Sequence, residues 1–156
     1  MKPSFTHRLL SLDALSPADT RSLLLTAEAL KHAARSGGDQ QLLKGKNIAL
    51  LCDKAGCDCG AAFDAAATQL GARVSRIHAD AVLSPDTARI LGHLYDAIDC
   101  EHVPAEVASR LRQQVGVPVY EGLGRDDHPL LQLLGPAGDA DDCRFLLQAL
   151  LISTMR

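Results

Sequence analysis

The chain has 156 residues, enough for one domain with a hydrophobic core. Hydrophobic residues make up 47%, so it reads as globular; with 3% aromatics and no Trp, the core must be built from Leu, Ala, Val and Ile. A formal net charge of -3 argues against a general nucleic-acid binder. No apolar run is long enough to cross a membrane, and the start Met1-Lys2-Pro3-Ser4 lacks the apolar stretch of a signal peptide. The five cysteines are an odd number, and two stand in Cys57-Asp58-Cys59. That is no secreted disulfide framework, so reduced thiols in a cytoplasm are expected.

Leu9–Asp13 is a short lead-in, and Ser16-Pro17-Ala18-Asp19 starts a helix: Ser as N-cap, Pro at the first helical position, a carboxylate in the first turn. Leu23, Ala27, Leu30 and Ala34 form its apolar stripe, and Gly37-Gly38 stops it. Asn47–Cys52 is a short continuous apolar run, the pattern of a strand buried on both faces. A Gly/Cys turn follows, then a helix with Ala62, Phe63, Ala66, Ala67 and Leu70 on one side, ending at Gly71. A strand-to-helix turn of this kind is where an α/β domain places an anion.

Arg73–His78 is a weaker strand. Ser84-Pro85-Asp86 opens a helix with Ala88, Leu91 and Leu94 inward and Gly92 as a flaw. Tyr95–Cys100 is a third strand, and Pro104–Val115 a helix with Val107, Leu111 and Val115 in register. Val117–Tyr120 is a fourth, short strand, because Pro118 has no N–H for a ladder. His128–Leu134 suits a short helix, and Ala140–Met155 a last one, apolar at Phe145, Leu146, Ala149, Leu150, Ile152 and Ser153. Alternating strands and helices predict a three-layer α/β fold: a parallel sheet of about four strands, helices on both faces, and the last helix packed back on the domain. Residues 1–156 form a single domain on this reading.

An ordered set of short segments adds a resemblance. It comprises Ser11-Leu12-Asp13, Leu43-Lys44-Gly45-Lys46, Ala66-Ala67-Thr68-Gln69-Leu70-Gly71, Asp86–Gly92, Tyr95-Asp96-Ala97-Ile98, Gly116-Val117-Pro118-Val119, Gly122-Leu123 and His128-Pro129. Together they resemble the carbamoyl-phosphate-binding domain of the aspartate/ornithine carbamoyltransferases, the ornithine branch more closely. Asp142–Leu151 resembles the C-terminal helix of those enzymes, so that residues 140–155 follow the first domain as if the second, amino-acid-binding domain were excised.

The resemblance implies a phosphate site at the first strand-to-helix turn, where the family has S-T-R-T-R. The matching residues are Gly56, Cys57, Asp58, Cys59 and Gly60, so one arginine is replaced by Asp58 and the other by Gly60. An aspartate there sets like charge against a dianion. The arginine of the family's Y-R-G type motif aligns with Glu101, a second reversal. The H-P-x-Q motif keeps His128-Pro129 but has Leu131 at the glutamine position, with Gln132 one place out of register. The loop between Asp80 and Asp86 is short beside the family's loop that reaches a neighbouring site.

His128 is therefore a remnant, either a helix-start residue or a surviving donor to a carbonyl or phosphate oxygen. Cys52, Cys57 and Cys59, with His78 or His128, are the candidates for a metal or redox site; the other reading is small side chains filling a vacated pocket. Asp58 and Glu101 either form a cation- or amine-binding pocket or have drifted after loss of catalysis. Arg110 and Arg112 read as solvated helix-face charges. The reading that results is a catalytically degenerate carbamoyltransferase-like protein acting by binding or assembly, without cofactor. As the family assembles through this domain, a homotrimer or a full-length paralogue is the implied partner, with a small anionic or amine ligand. The alternative is residual carbamoyl-phosphate binding, or carbamoyl transfer completed by a partner chain in amino-acid metabolism.

Overall fold

The structure of the chain, a computed structural model, describes residues 16–38, 41–52, 60–78, 80, 84–101, 103–123, 129–135 and 138–155. Helix α1 spans Pro17–Arg35 and begins with a reciprocal capping box. The Ser16 hydroxyl accepts from the Asp19 N–H at 3.0 Å, and the Asp19 carboxylate from the Ser16 N–H at 3.2 Å. Leu23, Ala27 and Leu30 are buried as their spacing predicts, whereas Ala34 is exposed because the helix outruns the elements it packs on.

Four strands follow: β1 Asn47–Cys52, β2 Arg73–His78, β3 Ala97–Glu101 and β4 Val119–Glu121. They form one parallel sheet in the order β2-β1-β3-β4, with β1 and β3 at its centre. β1 is buried on both faces over Ile48–Cys52, as an unbroken apolar run requires. β3 starts and ends later than its predicted span and takes in Glu101; β4 is likewise displaced, over Val119–Glu121. Pro118 lies just outside β4 and contributes as an acceptor, its carbonyl taking the Ile98 N–H at 2.9 Å.

Side chains alternate across the sheet and separate two cores. On one face Ile48, Leu50, Ala97 and Tyr120 meet Phe63, Ala66 and Ala67 of α2 (Ala61–Gln69) and the buried side of α5 (Ala140–Met155). On the other, Ala49, Leu51, Ile98 and Val119 meet Ala88 and Leu91 of α3 (Pro85–Leu94) and Ala108 and Leu111 of α4 (Ala105–Gln114). Helix α1 lies outermost, against α5.

The expected α/β fold, with helices on both faces and the last helix packed back, is thus observed. Ala62 and Leu94 are likewise exposed and Val107 is half-buried, against their predicted inward placement. Gly92 has a packing reason. A Cβ there would lie 3.3 Å from the Cβ of Val115, so glycine lets α3 approach the end of α4. Pro129–Leu134 winds as a 3₁₀ helix, tighter than the short helix expected there.

Candidate functional site at the crossing of β1 and β3

The strand order reverses between β1 and β3, and ligands of open α/β sheets bind beyond the C-terminal strand ends at such a crossing. Cys52 ends β1, in register with Glu101, which ends β3. Gly60, with φ of 76°, is the N-cap of α2. No side chain caps that helix at its N-cap position, among the described residues. Gly60 sits tightly: a Cβ on it would lie 2.8 Å from Leu50 Cδ2 and 3.3 Å from Glu101 Cγ. The Glu101 side chain is thereby brought against the start of α2.

Two carboxyl groups share this place. Asp99 and Glu101 are two residues apart on β3 and point to the same face, and their exposures are 0% and 1%. Asp99 pairs in register with Leu50 on one side and Tyr120 on the other. Its Oδ1 accepts the Leu123 N–H at 3.2 Å, while its Oδ2 has no geometric hydrogen-bond donor among the described residues. Burial, the neighbouring charge of Glu101 and a hydrogen bond with Glu101 all push the Asp99 carboxyl well above the usual aspartate range.

Tyr120 is no donor to this pair. The Thr154 hydroxyl donates to the Leu150 carbonyl at 2.8 Å, so the Tyr120 hydroxyl donates to Thr154 Oγ1, at 2.5 Å. Burial raises the Tyr120 phenol far above its ordinary value. On the opposite face Cys100 is pushed up to about 12, first by burial and then by Asp99 and Glu121. A thiol so placed stays protonated and is a poor nucleophile. Arg112 is exposed, as expected for a helix-face charge, and it is also an anchor. Its guanidinium donates to the Val119 carbonyl at 3.3 Å and pairs with Glu121 at 3.3 Å, because α4 lies beside β4.

A family profile described as aspartate/ornithine carbamoyltransferase, carbamoyl-P binding domain, matches residues 7–135. The chain belongs to the aspartate/ornithine carbamoyltransferase family. It is 36% identical over 145 residues to an ornithine carbamoyltransferase of Actinobacillus pleuropneumoniae, covering 88% of this chain and 43% of that protein. It is 39% identical over 131 residues to the catabolic ornithine carbamoyltransferase of Pseudomonas putida, covering 79% of this chain and 38% of the relative. The ornithine carbamoyltransferase structure from Pyrococcus furiosus superposes with a TM-score of 0.66 at 27% identity, over 80% of this chain and 42% of that one. The chain spans less than half the length of the relatives it matches.

Within this carbamoyltransferase domain, Gly60 and Glu101 come together at the crossing, and Cys52 is buried at the end of β1 beside them. Gly56, Cys57, Asp58, Cys59 and His128 lie outside the described residues, as does most of the loop between Asp80 and Asp86. His78 is on the edge strand β2, its imidazole Nδ1 accepting the Asp80 N–H at 3.2 Å. Sequence reasoning missed Asp99. Its signal was a carboxylate amid the apolar run of Ala97–Cys100, in a strand whose neighbours all read as core.

Proposed function

We propose that this domain is a catalytically degenerate member of the carbamoyltransferase family that acts by binding or assembly, not by carbamoyl transfer. The observation that carries this reading is Glu101. It stands where the family's pattern has an arginine, and it is buried at the start of α2 beside a second carboxyl. A phosphate dianion is held by backbone N–H groups and by cations offering charge-assisted bonds. Here the strand end next to that position supplies two acids, and Asp58 replaces a further arginine in the turn. Bringing a dianion there sets it against like charge in a poorly screened place. The resemblance implies assembly through this domain, as a homotrimer or with a full-length paralogue, and the odd number of cysteines favours a cytoplasmic setting.

Isothermal titration calorimetry with carbamoyl phosphate tests the reading. No heat of binding is expected at millimolar ligand, and light scattering after size exclusion is expected to give the mass of three chains. Saturable binding that weakens in His128→Ala would overturn it in favour of a surviving carbamoyl-phosphate site completed by a partner chain.

A further inference from the structure

We propose that the outward face of α1 docks a second copy of this chain, packed antiparallel about a two-fold axis beside Leu25. Helix α1 buries Leu23, Ala27 and Leu30 on its inner side, and the opposite side is exposed. Leu25 stands on that outer side at 63% exposure, with Leu24 half-buried beside it. Arg21, Leu24, Leu25 and Glu28 line one shallow groove there. Their spacing of i, i+3, i+4 and i+7 is that of a hole which accepts a knob from a neighbouring helix. Leu25 of a second copy is a knob of the right kind.

The charges decide the occupant and its direction. Arg21 and Glu28 flank Leu24 and Leu25, two turns or about 10.5 Å apart along one side of the helix. An antiparallel copy with its Leu25 in this hole brings its Glu28 beside Arg21 and its Arg21 beside Glu28. The two-fold axis makes both pairs from one self-complementary surface. A parallel copy sets Arg21 against Arg21 and Glu28 against Glu28, and is repelled. Neither side chain is spent within the chain, for neither has a hydrogen bond or ion pair among the described residues. The exposed apolar pair of α3, Ile90 and Leu94, lacks this feature, because Asp86 and Arg89 there pair with each other.

A single helix pair buries less than the roughly 800 Å² per partner of a stable interface. The contact is therefore weak, and it forms at high concentration or where assembly already gathers several chains. Exposed ion pairs add little affinity each and weaken with salt, so they set direction more than strength.

Sedimentation velocity from about 10 µM to about 1 mM tests this, across the range where weak contacts form. The wild type is expected to gain mass with concentration, and to gain less in about 1 M salt. Arg21→Glu alone and Glu28→Arg alone should each weaken the association about tenfold, because the two-fold axis turns both ion pairs into repulsions. A one-to-one mixture of the two variants should restore it, since one brings only acids to the contact and the other only bases. Leu25→Ser should weaken association without affecting the fold, as should the charge variants, because all three positions are exposed; far-ultraviolet dichroism checks this. A wild-type mass that does not change with concentration would overturn the proposal. So would a mixture that associates no better than either variant alone, the result expected if the chain's own first residues or a different protein cover this face. Growth is read beyond the particle present at low concentration, whether one chain or three, so failure here is separate from failure of the functional reading.

Discussion

Gly60 shows how one residue joins the backbone to the site. Its φ of 76° is costly for any residue with a side chain, and the space a Cβ needs is filled by Leu50, which is fully buried and cannot withdraw. Gly60→Ala should therefore destabilise the domain by about 1–3 kcal/mol, read from the urea midpoint. A neutral result would mean that the start of α2 gives way, and with it the seat of Glu101. Part of this was legible beforehand. Gly60 and Glu101 stand out because charged positions of a known pattern have changed type. Asp99 has no such contrast, and its meaning depends on burial, which a strand sequence does not state. For Arg112 the exposed face was legible and its partners were not: helical spacing gives the face of a residue, not the carbonyl across from it.

At the level of elements, the last helix was foreseen and its surroundings were not. Residues Phe145–Ile152 of α5 are all buried, Gln148 included, because α1 covers one side and α2 and the sheet the other. A helix enclosed in this way loses the polar stripe from which an inward face is read. Thr154 is buried and Ser153 half-buried, the reverse of what the apolar pattern suggested. Gln148 resolves a backbone problem in α2. The Leu70 N–H turns to the Ala67 carbonyl, and the Ala66 carbonyl accepts from Gln148 Nε2 at 3.1 Å. Gln148 also donates to Gln69 Oε1 at 3.3 Å. Gln148→Met keeps the bulk and removes the donor, and it should cost about 1–3 kcal/mol by chemical denaturation. Gln69→Ala should cost less, because the bond to Ala66 survives it.

For the molecule as a whole, the alternation of strands and helices was enough to reach the sheet and its two covered faces, since a parallel sheet must be buried on both. Which helix closes which face is a matter of long-range contact. On one side α3 and α4 meet Leu51, Ile98 and Val119 with few large side chains. On the other, α5 stands between α1 and the sheet and is tied outward by Lys31 to Asp142, at 2.5 Å. Phe145, Leu146, Leu147, Leu150, Leu151 and Ile152 are all buried along it. At about 1.5–3 kcal/mol each, their loss together is as large as the whole stability of a typical domain, about 5–15 kcal/mol. Removing residues 140–156 should therefore abolish cooperative unfolding. It should leave a species that binds the dye ANS and keeps helical far-ultraviolet dichroism without a sharp thermal transition. If the shortened chain instead melts sharply, α1 must close directly onto the sheet face that α5 occupies. That outcome would make α5 an addition to a self-sufficient domain, when its burial says that the domain is built around it.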